Sequence, residues 1–181
     1  MAIDWPAIEK QFTADVADHW ARAQSIGLEC PFDVFEQLFF DHHADHHLID
    51  VVRSVDWGNV EWADTELSGT VLRRVAVPRL YQHAVDEARW RTREEGVQDV
   101  RPAVMDHWRT AGTWIRAPIL VAGDVIGSSL GNECLVGFTR LGNLLGLIDR
   151  QEVPEAARHR VWLGRLTAKR VPAGTENLDK I

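Results

Sequence analysis

Cysteine is nearly absent: the 181-residue chain has two, Cys30 and Cys134. They stand far apart and form no Cys-x-x-Cys pair. That excludes a disulfide framework and a cysteine-based zinc site, and leaves reduced thiols as the default. No apolar run reaches the roughly 18 residues that a membrane-spanning helix requires. The opening stretch, MAIDWPAIEKQF, carries Asp4 and Glu9 where a secretory leader needs a basic stretch and then a long apolar one. A cytoplasmic protein without membrane association is expected. Positive charge is scarce in the front of the chain. Residues 1–66 hold 14 Asp and Glu against Lys10, Arg22 and Arg53, a net of −11. Residues 67–181 carry a net of +4, and the whole chain −7. Non-specific nucleic-acid affinity comes mainly from phosphate neutralisation, so the acidic front disfavours it. The basic back has room for one anionic small ligand.

At 45% hydrophobic and 26% charged, the chain has an ordinary globular composition and can bury a core without metal or disulfide staples. Residues 5–26 read as an amphipathic helix, with Ile8, Phe12, Val16, Trp20 and Ala23 on one stripe and Gly27 as its stop. A second helix is expected from Pro31 to about Arg53. Asp56-Trp57-Gly58-Asn59 is turn chemistry. Residues 70–77 read as a short strand, 79–95 as a helix stopped by Gly96, and 102–111 as a helix stopped by Gly112. Residues 117–126 and 133–138 read as two strands of a hairpin, 139–151 as a helix, and 160–166 as a last strand, with a short helical stretch opening at Pro154. Three regions are expected: an acidic helical 1–66, an α+β unit at 67–166, and a flexible tail at 167–181.

The segment LVGFTRLGNLLGL (135–147) carries the most chemistry. A strand ends at Gly137 and a helix starts within two residues. Helix N-termini present unpaired amides and partial positive charge. Gly137 allows main-chain approach, Thr139 offers a hydroxyl, and Arg140 adds a planar guanidinium suited to phosphate oxygens. The plain alternative is a glycine turn, a threonine cap and an internally paired arginine.

The order strand, Gly137, Phe138, Thr139, Arg140, apolar helix resembles the signature of the ParB/sulfiredoxin superfamily. The PILV strand (118–121) and the closing VWLGR strand (161–165) follow that family's order. The resemblance implies an α+β fold, a small mixed sheet of the ParB/sulfiredoxin type with an N-terminal helical extension. It also implies a nucleoside triphosphate or diphosphate held at Gly137, Phe138, Thr139 and Arg140, with NTP hydrolysis or phosphotransfer as the activity and Mg²⁺ as accompanying cation. The chain departs from the family at one position. Phe138 stands where sulfiredoxin-like members have the catalytic cysteine, ParB-like members a glutamate, and kinase-like members a histidine. Sulfinic-acid reduction is thereby disfavoured, and so is sequence-specific DNA binding, because no helix-turn-helix segment follows. The alternative is a non-enzymatic ParB-like module (an antitoxin, immunity or regulatory protein) whose acidic helices bind a basic protein partner.

Three residues are candidates for catalysis: Glu133, the carboxylate nearest the corner in sequence, and Asp106 with His107 on the preceding helix. A separate feature is DHHADHH (41–47). On one helix, His42/His46 and His43/His47 would form i,i+4 pairs able to hold a metal ion. The competing reading is a solvated face of histidines among acids. Most of the eight tryptophans are expected in the core, with Trp114 or Phe138 available to stack on a base.

Overall fold

A computed structural model describes residues 15–42 and 45–167. The first part of the expected N-terminal helix, His43, and the tail after Thr167 lie outside the described residues. Seven helices and four strands are described, giving the expected α+β class. The helices are α1 (Val16–Ser25), α2 (Phe32–Val34), α3 (His46–Ser54), α4 (Gly69–Leu72), α5 (Gln82–Glu95), α6 (Pro102–Ala111) and α7 (Phe138–Asp149). The strands are β1 (Val60–Ser68), β2 (Ile119–Ala122), β3 (Asn132–Val136) and β4 (Arg158–Leu166). No described helix is long and apolar enough to cross a membrane.

The sheet order is β1-β4-β2-β3. β4 runs antiparallel to β1 and parallel to β2, and β2 and β3 form an antiparallel hairpin. Side chains alternate along β2. Ile119 and Val121 face a core shared with Phe35, Leu38, Phe39, Leu48 and Trp57. Leu120 faces a second core with Leu141, Leu144, Ile148, Trp108 and Trp114. Both faces of the central strands are therefore covered, which explains why PILVA reads as an unbroken apolar run.

Several expectations need correction. Residues 70–77 are not a strand. They form the end of α4 and a turn, and only Ala76 makes a bridge, to Glu133. The Ser68 hydroxyl accepts from Val71 N and starts a helical turn there instead, with Leu72 buried beneath it. The missing strand is β1, one segment earlier. It lies at the sheet edge and carries Glu61, Asp64 and Glu66, which mask its strand character while protecting the edge. The division drawn between residues 66 and 67 falls inside β1, whose nine residues pair with β4 along their whole length. Residues 154–157 form turns in place of a helix.

The expected helix at 31–53 is also broken. α2 passes into a π-helical segment, Phe35–Phe40, followed by a turn at 41–42, and α3 starts as a separate helix at His46. Asp45 caps the new helix, its carboxylate accepting from His47 N at 3.1 Å and Leu48 N at 3.3 Å.

α7 is nearly all buried and packs on α5 through two glycines. A Cβ at Gly142 would stand 2.5 Å from Val85 O, and one at Gly146 2.7 Å from Arg89 O. Thr92 Oγ1 donates to Asn143 Oδ1 at 3.0 Å across this buried seam. At the end of α7, Asp149 accepts from Arg73 at 2.7 Å and from Arg89 at 2.6 Å. These contacts fix where the first turn of α7 emerges.

Candidate functional site

Gly137 ends β3 and caps α7 with φ 100°, a left-handed conformation that favours glycine. Space imposes the same choice, because a Cβ there would lie 2.7 Å from Pro118 Cβ. The first helical bond of this end runs from Leu141 N to Gly137 O at 2.9 Å. The amides of Phe138, Thr139 and Arg140 therefore precede the hydrogen-bonded ladder, as helix geometry requires.

These residues open on a cleft of about 640 Å³. Gly137, Phe138, Thr139 and Arg140 all line it, so the four residues expected to bind ligand share one surface. Thr139 is exposed, Gly137, Phe138 and Arg140 partly buried. Phe138 stacks on Tyr81, ring centroids 4.3 Å apart and nearly parallel. One face of its ring is thus already occupied. Trp114 also lines the cleft, but it is buried, and its indole N–H donates to Arg160 O at 2.7 Å. Trp114 is thus no free stacking platform, and Phe138 has one ring face taken.

The electrostatics centre on three arginines, Arg101, Arg116 and Arg140. Arg101 forks onto Asp99 with bonds of 2.8 and 2.7 Å, and that partner holds the Asp99 carboxyl below its usual pKa. Arg116 is met by three acids of the acidic front. It donates to Asp33 at 2.7 Å, to Glu36, and to Asp41 at 3.4 Å. Asp33, although desolvation opposes it, is held below the ordinary carboxylate pKa by Arg116, Trp162 and Gln37.

Arg140 differs. Its guanidinium donates to Arg116 O at 2.7 Å and to Gln37 Oε1 at 2.7 Å, with a longer approach to Ala117 O at 3.5 Å. All three acceptors are uncharged. Among the described residues no carboxylate pairs with it. Burial brings its pKa down to about 10, so the cation persists at neutral pH.

The expected catalytic residues do not reach this cleft. Glu133 lies on β3 within reach of Ser128, and burial raises its carboxyl pKa, but it is not part of the cleft wall. Asp106 is exposed and pairs with Arg109 at 3.2 Å, while His107, half-buried on the same helix, does not line the cleft. The acids that do line it are Asp41 and Asp99, beside His42. The proximity of Glu133 in sequence was misleading because successive strand residues face opposite sides.

The histidine pairs lose their premise with the broken helix. His42 sits in the turn before α3 and lines the cleft, whereas His46 and His47 are exposed on the first turn of α3. His43 lies outside the described residues. Asp45 is committed to capping and to the Tyr81 hydroxyl, which donates to it at 2.7 Å. Among the described residues no three His, Cys, Asp or Glu side chains gather to hold a metal ion. Cys134 is fully buried, and its thiol pKa is pushed up to about 12 by burial, which suits core packing and not nucleophilic chemistry.

Residue-by-residue reading missed Gln37, Arg101 and Arg116. A signal existed for Arg116. Hairpin pairing places Ile119 opposite Val136, so the residues just before β2 must lie beside Gly137. Nothing local marks Gln37, which is 103 positions from its partner. Comparisons with family models, with curated proteins and with solved structures gave no match.

Proposed function

We propose that the protein binds a phosphate-bearing small molecule, a nucleotide of the ParB/sulfiredoxin-like kind, in the cleft at the start of α7. The observation that carries this reading is Arg140. A largely buried guanidinium bonded only to neutral oxygens is expensive, and an anionic partner offsets that cost. Phosphate oxygens would accept from Arg140 and from the amides of residues 138–140, where the α7 dipole adds its positive end. Arg101 and Arg116 form the neighbouring wall, each already balanced by acids. They add donors without adding much net charge, which suits one phosphate group better than a polyanion.

The reading is of binding. Hydrolysis or phosphotransfer would need a base or a metal-bridging acid at the cleft, and there Asp41 and Asp99 are each held by an arginine. ATP, CTP, GTP and ADP, with and without Mg²⁺, are titrated by calorimetry. Saturable binding is expected, and Arg140→Ala should weaken it by about 1.5–3 kcal/mol, the range for a charge-assisted hydrogen bond. Absence of any nucleotide response in the native protein would favour the non-enzymatic interaction module.

A further inference from the structure

The phosphate site leaves one polar group of the cleft unused: the side-chain amide of Asn143. This residue stands on the same face of α7 as Thr139 and Arg140, one helical turn further on. It lines the cleft with them and is 9% exposed. The two ends of its amide are unequal. Oδ1 accepts from Thr92 Oγ1 at 3.0 Å in the buried seam with α5. Nδ2 has no hydrogen-bond partner among the described residues. The described side-chain atoms that are both unpartnered and sealed from solvent are Trp20 Nε1, Trp62 Nε1 and His159 Nε2. Asn143 Nδ2 is unpartnered but not sealed, and the open space that its residue borders is the cleft.

An amide that is nine-tenths buried and bonded at one end only calls for an explanation. The Thr92 bond fixes its orientation, so the cleft meets N–H donors and no acceptor. Neighbouring side chains do not take those donors up. Gln37 is engaged with Arg140, Ala117 O and Asp33. Asp99 is held by Arg101 and Asp41 by Arg116. Ala84, Val104 and Ile115 complete this wall and carry no polar side-chain atom.

Distance sets what meets Nδ2. Asn143 lies about 4.5–7.5 Å along the helix axis from the free amides of residues 138–140. Helix side chains lean back toward the N-terminus, which shortens the gap. A phosphate on those amides and on Arg140 brings the first few atoms of its substituent beside Asn143. A group that only donates recognises an oxygen lone pair there. We infer that Asn143 selects what the phosphate carries: the ligand is a phosphomonoester of a hydroxylated carbon skeleton, a free sugar phosphate or the ribose phosphate of a nucleotide, with a hydroxyl oxygen accepting from Nδ2. The inference rests on the phosphate reading of the cleft and adds the substituent. Thr92 acts through Asn143 as a positioning residue.

The test uses the full chain at constant ionic strength, with inorganic phosphate, propyl phosphate and glycerol 3-phosphate as probes. Calorimetry gives affinity. The Gly137 backbone amide and the Asn143 side-chain amide resonances give location. All three probes should move Gly137. Only glycerol 3-phosphate should move the Asn143 side chain, and it should bind about tenfold more tightly than propyl phosphate. The double variant Thr92→Val with Asn143→Leu exchanges both partners of the seam bond for apolar groups of similar shape, a change that can be nearly neutral for folding. It should keep the affinity for propyl phosphate and lose the preference for glycerol 3-phosphate, a change of ratio that general loosening of the fold does not produce. Where that variant does not fold, the native affinity ratio and the Asn143 resonances decide. Ribose 5-phosphate and adenosine 5′-monophosphate separate the two sources: both should move the Asn143 side chain, and the tighter binder identifies the source. Equal affinity for propyl phosphate and glycerol 3-phosphate, an unmoved Asn143 side chain, or an unchanged preference in the double variant would each overturn the inference and leave the phosphate site standing. No response of Gly137 to any probe would remove both.

Discussion

Gln37 Oε1 accepts from Arg140 Nη2 at 2.7 Å, joining the π-helical segment after α2 to the first turn of α7. The same amide donates through Nε2 to Ala117 O at 3.1 Å and toward Asp33 Oδ1 at 3.3 Å. Gln37 is 2% exposed; its bond to Ala117 O is buried, and those to Arg140 and Asp33 are partly buried. One buried amide thus holds together the acidic front, the start of β2 and the cation at the cleft.

Replacing Gln37 by leucine keeps the volume and removes all three bonds. The carbonyl of Ala117 and the Arg140 guanidinium then lose partners in a buried place. Destabilisation by about 1.5–3 kcal/mol is expected, read from urea unfolding at constant slope. Gln37→Glu asks a different question. It gives Arg140 the carboxylate it lacks, and nucleotide affinity should fall by about tenfold or more as the internal ion pair competes with phosphate. Unchanged affinity in Gln37→Glu would remove the unpaired cation as the basis for binding.

The seam between α5 and α7 has no spare room. In Gly146→Ala the new methyl would stand 2.7 Å from both Arg89 O and Thr92 Cβ. Neither is the free end of a flexible chain, so the helices must part. A loss of about 1–3 kcal/mol is expected from overpacking. Gly131→Ala, where a Cβ meets nothing within 4 Å, is the control and should stay within about 0.5 kcal/mol of the native protein.

Gln151 is the one described non-glycine residue with positive φ, at 62°. It follows α7 in a closing motif: Glu152 N bonds to Leu147 O at 3.0 Å, and Gln151 N to Ile148 O at 3.0 Å. Glycine takes this conformation without the Cβ clash. Gln151→Gly should stabilise the fold by about 0.5–1 kcal/mol, net of the flexibility that glycine adds to the unfolded chain. Thermal unfolding with a lower midpoint would contradict this.

Acid should act through Asp149. Desolvation opposes its ionisation, but the bonds from Arg89 and Arg73 hold its pKa below the ordinary value. A carboxylate whose pKa is lower folded than unfolded stabilises the fold fully above the unfolded value, about 3.9. That contribution disappears as pH falls from there through the folded value. Asp149→Asn should therefore be less stable than the native protein at pH 7, and the difference should shrink below about pH 4. A difference independent of pH would show that the carboxylate charge plays no part.

The sequence by itself determined the parts whose signals are local. Gly96 and Gly112 stopped their helices where the structure stops them, because glycine alone enters the left-handed region without penalty. Gly137, Thr139 and Arg140 were legible as a strand-to-helix corner for the same reason, and the α+β class followed from the order of such segments. Tertiary structure decided the rest. β1 reads as a polar stretch until β4 pairs with it, since an edge strand draws its stability from a neighbour distant in sequence. The histidine run looked like one helical face until the π-helical segment and the Asp45 cap divided it. Most of all, whether Arg140 meets a carboxylate or a neutral oxygen was invisible along the chain. Charge pairing depends on distance through space, and the acids nearest the cleft had already been drawn to Arg116 and Arg101.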